Sequence, residues 1–167
     1  TPNTGVEADT LLECAANSSD IDNEALTTTY EWIDNAGNLL STGSTRQLDT
    51  TNTAPFDTVF CKATVADVHG AVDSLITSVT VDNTLPVVDS AAMITGTPGT
   101  GETLTCSAAF FDLNDGPLIT SYEWTKSDGT VLSSTDMYTI DSNETDVGDE
   151  LTCTATAMDA NGEVITS

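Results

Sequence analysis

Tyr30-Glu31-Trp32 recurs as Tyr122-Glu123-Trp124, 92 residues further along the chain. Cysteines frame both copies at the same distances. Cys14 lies 18 residues before the first tryptophan and Cys61 29 residues after it, and Cys106 and Cys153 hold those places around the second. The neighbourhoods agree as well: Leu12-Glu13-Cys14 matches Leu104-Thr105-Cys106, and Asp67-Val68-His69-Gly70 falls on Asp159-Ala160-Asn161-Gly162. One offset shared by every landmark marks an internal repeat, each copy being one structural unit. The 167 residues therefore divide into repeat one, residues 1–82, and repeat two, residues 83–167, with a short linker from Asp82 to Pro86.

Around these landmarks apolar residues alternate with period two, as half-buried strands require. Leu12, Cys14 and Ala16 share one face, as do Leu104, Cys106 and Ala108. Val59, Cys61, Ala63 and Val65 alternate with Phe60, Lys62 and Thr64, and Leu151, Cys153, Ala155 and Ala157 alternate with threonines. Asn35-Ala36-Gly37, Ser127-Asp128-Gly129, His69-Gly70 and Asn161-Gly162 supply turns at matching places. Threonine, which favours strands and tolerates solvent, accounts for 31 residues. Sustained helical periodicity is absent, so the class is all-β.

The composition narrows the function. Twenty-seven acidic residues against three basic ones (Arg46, Lys62 and Lys126) give a formal charge of -24. Such a surface repels nucleic acids and anionic membranes, whose binding begins with cations neutralising phosphates. No apolar run approaches the roughly 20 residues that span a bilayer, and no secretory leader is read in Thr1-Pro2-Asn3-Thr4-Gly5. Four cysteines in an acidic β-patterned chain point to an oxidising compartment.

The order Cys, Trp, Cys is that of the immunoglobulin sandwich. Thr103-Leu104-Thr105-Cys106, Tyr122-Glu123-Trp124, Leu151-Thr152-Cys153-Thr154-Ala155 and the joint Val79-Thr80-Val81-Asp82-Asn83-Thr84-Leu85-Pro86 carry the likeness. On these residues the chain resembles the tandem immunoglobulin-like repeats of large bacterial surface proteins. Val59 and Leu151 stand where antibody domains have a tyrosine, two residues before the second cysteine, so the resemblance does not extend to antigen receptors. It implies two tandem β-sandwiches, each with an inter-sheet disulfide (Cys14–Cys61 and Cys106–Cys153) packed against a core tryptophan, Trp32 or Trp124. It also implies a modular extracellular spacer or adhesive fibre. Ser167 aligns with Leu75, so the last strand of repeat two is expected to be truncated. The chain is read as a fragment of a longer array, the alternative being that a neighbouring subunit completes the open edge by strand addition.

Little in the chain offers catalysis. The single histidine, His69, sits in a turn whose sister position is Asn161, which marks it as a turn-former. Without a second histidine, Ser-His-Asp and Cys-His arrangements lack a base. Gly96-Thr97-Pro98-Gly99-Thr100-Gly101-Glu102-Thr103 imitates a phosphate loop, but Glu102 replaces the lysine and a strand follows, so it reads as a turn. The chain is accordingly read as non-enzymatic.

The acidic loops are the candidate site. Asp20 and Asp22 precede Trp32, with Asp112 and Asp115 in the matching loop, and Asp67 and Asp159 lie in the later hairpins. In an immunoglobulin sandwich these loops gather at one end, where Asp82 and Asn83 of the linker would join them. Hard oxygen ligands there suit calcium, and none of the chain requires another cofactor. Asp and Asn also favour turns by bonding their own backbone. The function expected is a structural repeat of an extracellular fibre or cell-surface adhesin stalk, assembled head to tail with neighbouring repeats or subunits. A carbohydrate- or protein-binding module, or an accessory module of a secreted hydrolase, is the alternative.

Overall fold

The computed structural model describes residues 5–167. Thr1–Thr4, the opening residues in which no secretory leader is read, lie outside the described residues. All regular structure among the described residues is β, and no helix is long and apolar enough to cross a membrane. The chain divides into two compact units between Thr84 and Leu85.

Unit 1 contains β1 (Leu11–Glu13), β2 (Thr27–Ile33), β3 (Leu39–Thr42), β4 (Thr45–Gln47), β5 (Thr58–Ala66) and β6 (Val72–Thr80). One sheet has the order β3-β2-β5-β6; the other pairs β1 with β4. Burial along β5 follows the period-two pattern, with Val59, Cys61 and Ala63 buried and their neighbours partly exposed. The register sets Trp32 opposite Cys61. The Cys14–Cys61 bridge joins the end of β1 to β5, hence one sheet to the other, with Cα atoms 6.4 Å apart. Leu12, Trp32, Leu48, Val59, Val79 and Val81 close around it, Trp32 being only 1% exposed.

Unit 2 contains β7 (Val87–Thr95), β8 (Thr103–Asp112), β9 (Gly116–Pro117), β10 (Thr120–Lys126), β11 (Val131–Ser133), β12 (Met137–Thr139), β13 (Leu151–Met158) and β14 (Val164–Thr166). Its sheets have the orders β11-β10-β13-β14 and β12-β8-β7, with β9 also on β8. Trp124 faces Cys153 across the ladder, and Cys106–Cys153 joins β8 to β13, again at 6.4 Å.

The repeat extends to individual hydrogen bonds. A buried indole needs an acceptor for its N–H. Trp32 Nε1 donates to the Gly43 carbonyl at 2.9 Å, and Trp124 Nε1 to that of Thr135, the matching position, at 3.1 Å. The Tyr30 hydroxyl accepts from the Ala16 amide at 3.3 Å, as Tyr122 does from Ala108. Phe56, at φ 70°, stands where the second unit has Gly148 at φ 103°, so both copies make a positive-φ bend there, one of them without the residue that adopts it freely.

The units differ along one flank. Period-two reading extends the strand of Leu12 and Cys14 to Ala16, yet β1 stops at Glu13, whereas its sister β8 runs for ten residues. The reason is pairing: β8 is held by β7 along its outer edge, and no described strand lies beside residues 14–20. β6 and β14 begin at matching positions, Val72 and Val164.

Emptying either tryptophan site leaves a large cavity beside the bridge. Trp32→Ala or Trp124→Ala is expected to cost about 3–5 kcal/mol. Denaturation followed by NMR should show the loss concentrated in the unit that carries the change.

Candidate functional site

Acidic side chains are placed here mainly by turns. Asp34 Oδ1 accepts from the amides of Ala36 and Asn38 at 2.9 and 2.8 Å, closing the β2–β3 hairpin. The matching β10–β11 hairpin is closed from another position, Asp128 Oδ1 accepting from the Thr130 amide at 2.9 Å. Asp49 takes the Thr51 amide at 2.8 Å, and Asp141 the Asn143 amide at the same distance. Such bonds favour the charged carboxylate. The Asn38 side chain holds Asp34 below the usual range, the Thr51 hydroxyl does so for Asp49, and the Thr130 amide for Asp128.

The residues expected to hold calcium follow the same pattern. Asp67 Oδ1 accepts from the amides of His69 and Ala71, both at 2.8 Å, and Asp159 Oδ1 from Asn161 and Glu163 at 2.9 and 2.7 Å. Asp20 Oδ1 accepts from the Asp22 amide and Asp112 Oδ1 from the Asn114 amide, both at 2.7 Å. Asp115 reaches over to the Ala160 amide at 2.8 Å, tying the two loops of unit 2 together. Asp112 and Asp159 are buried, at 1% and 3% exposure. Asp82 Oδ2 accepts from the Gly5 amide at 3.0 Å; it and Asn83 belong to unit 1, while Asp112, Asp115 and Asp159 belong to unit 2.

One group of carboxylates does converge. Oxygens of Asp20, Glu24 and Asp67 lie within 4.8 Å of one another, all partly exposed. Asp22 is outside that group and exposed. Glu24 closes the candidate acidic loop Asp20-Ile21-Asp22-Asn23-Glu24 but stands outside the expected ligand set; its sister position is Gly116. Its Oε1 also lies 2.9 Å from His69 Nε2, in an exposed pair. Among the described residues the second unit has no matching three-carboxylate group.

The three cations are all engaged. Lys62 lies 3.5 Å from Glu31, and Lys126 lies 3.9 Å from Asp149 while donating to the Glu144 carbonyl at 2.8 Å. Arg46, 9% exposed, donates to Ser41 Oγ and Asn52 Oδ1. Tyr138 occupies the matching position and reaches Glu144, the sister of Asn52, at 3.3 Å. Unit 2 thus has a Tyr–Glu pair where unit 1 has Arg–Asn. The Gly96–Thr103 segment forms the turn between β7 and β8, with no helix behind it.

Unit 1 also has a cleft of about 360 Å³ between residues 16–20 and β6. Compared with known proteins, the chain matches no family model, no curated sequence and no solved structure.

Asp112 and Asp159 are buried, whereas Asp20, Glu24 and Asp67 converge while partly exposed, where an ion can reach them. Calcium titration followed by amide NMR is expected to perturb residues 20–24 and 67–71 and to leave 112–116 and 159–163 unchanged. Glu24→Gln should weaken the response. Perturbation centred on Asp112 and Asp159 would reverse this assignment.

Proposed function

We propose that the chain is two tandem immunoglobulin-like modules serving as a non-enzymatic structural repeat of an extracellular fibre or cell-surface stalk, arrayed head to tail. The observation that carries this reading is the duplication of a whole stapled core at one offset, down to the indole and tyrosine hydrogen bonds. Duplication of a framework, with the surface free to diverge, is what a spacer requires; a single binding or catalytic centre has no need of a second copy.

The sheet orders support the module type. β2, β5 and β6 lie adjacent with β3 outside, and the bridge runs to the opposite sheet from the strand beside the tryptophan, as B, C, F and G strands do in immunoglobulin sandwiches. Two disulfides suit an oxidising compartment, which agrees with a place outside the cell. Calcium, if required by the array, has its best ligands at Asp20, Glu24 and Asp67. The acid surface and the engaged cations leave nucleic acid no complementary patch.

Electron microscopy of the source particle or full-length product tests the reading. Beaded rods are expected, with a spacing of about 30–40 Å, from strands of roughly ten residues at about 3.3 Å each. Compact particles without periodicity would overturn it.

A further inference from the structure

We propose that the cleft between the β2–β3 hairpin and the β4–β5 connection of unit 1 is a receptor for a primary alkylammonium group. The cleft, about 560 Å³, is bounded by Asp34 and Leu40 on the hairpin side and by Asn52, Asp57 and Val59 on the other. Its lining holds two carboxylates and no cation. The deciding observation comes from the second unit, where the matching place already holds an ammonium.

The two places are framed alike. On the hairpins, the Asp34 amide donates to the Asn38 carbonyl and the Lys126 amide to that of Thr130, both at 3.0 Å. Across from them, the amides of Asn52 and Thr53 donate to the Asp49 carbonyl, as those of Glu144 and Thr145 do to Asp141. The Asp57 carboxylate accepts from the Ala54 amide and the Asp149 carboxylate from that of Asp146, both at 2.9 Å. Onto this shared frame Lys126 brings its side chain from the hairpin. Its Nζ donates to the Glu144 carbonyl at 2.8 Å and lies 3.9 Å from Asp149 Oδ2. Only 20% of the lysine side chain is exposed, so it is packed between the two segments.

Unit 1 keeps the acceptors without the donor. Asn52 and Asp57 hold the places of Glu144 and Asp149, whereas Asp34 stands where unit 2 has Lys126. An ammonium is a compact charge with three N–H donors. The Asn52 carbonyl and the carboxylates of Asp57 and Asp34 offer it charge-assisted partners. The Asn38 side chain holds Asp34 below the usual carboxylate range, so it stays charged wherever an amine is protonated. Leu40 and Val59 give an alkyl stem an apolar wall. Arg46 does not supply the cation, because it reaches Asn52 through Oδ1 and lies outside the lining. A structural repeat needs no such ligand, so failure of this proposal leaves the structural reading standing.

The test titrates the full chain with n-butylammonium, the lysine side chain without its backbone, in about 0.15 M salt. Amide NMR should show saturable shifts at residues 34–40 and 52–59 and none at 126–132 and 144–151. A dissociation constant of about 1 mM is expected for so small a ligand. Asp57→Asn keeps an acceptor for the Ala54 amide and should weaken binding about threefold, the scale for one exposed charge pair. The double variant Asp34→Lys, Ala36→Asp gives unit 1 the hairpin of unit 2, since Asp128 matches Ala36. It should fold normally and abolish the shifts. Acetyl-lysine amide and a linear diaminoalkane separate a peptide-borne from a free amine. Binding of either at these residues supports the assignment, and the tighter one names the source. Equal shifts from tetramethylammonium, which carries the charge without N–H donors, would reduce the effect to diffuse attraction by the acidic surface and overturn the proposal. Stronger shifts at these residues from calcium, or unchanged binding in either variant, would overturn it too.

Discussion

In each unit the bond from one sheet to the other, Cys14–Cys61 or Cys106–Cys153, fixes what the remaining residues can do. A module of this size buries too little surface to be comfortably stable by packing alone. A bridge separated by 47 residues removes loop entropy from the unfolded chain worth roughly 4 kcal/mol, comparable to the whole stability of a small domain. With the sheets held at that point, one tryptophan per unit fills the space beside the sulfurs and one tyrosine hydroxyl ties the chain two residues past the first cysteine. The rest of the sequence is released to be polar, threonine-rich and acidic without loss of the fold.

That freedom explains the charge. A net -24 is a heavy repulsive load for a chain of 167 residues, and much of it is placed where a carboxylate has local work. Asp34, Asp49, Asp67, Asp128, Asp141 and Asp159 each close a turn by accepting amides a few residues on. These bonds are short-ranged and survive salt, which screens the long-range repulsion between turns. An acidic surface built in this way stays soluble and still specifies its hairpins.

The pairing of cysteines, the placing of Trp32 and Trp124, the turns and the all-β class were legible because each is local or repeats at a fixed offset. The site was less so. Asp112 and Asp159 look like free ligands in the sequence; their amide bonds are local, but their burial depends on how two distant loops meet, where Asp115 accepts from the Ala160 amide. Glu24, at the end of the same acidic loop as Asp20, has no acidic sister, since Gly116 holds the matching place, and its convergence with Asp67 depends on the fold.

The central claim is that the chain is two separately stapled units. Stretching single molecules, oxidised and then reduced, tests it most directly. Two unfolding events are expected in both conditions, and in the oxidised chain each should release only residues outside its disulfide loop. Reduction should lengthen each event by about 170 Å, the extended reach of 47 residues. A single event spanning the whole chain, or step lengths indifferent to reductant, would contradict the account.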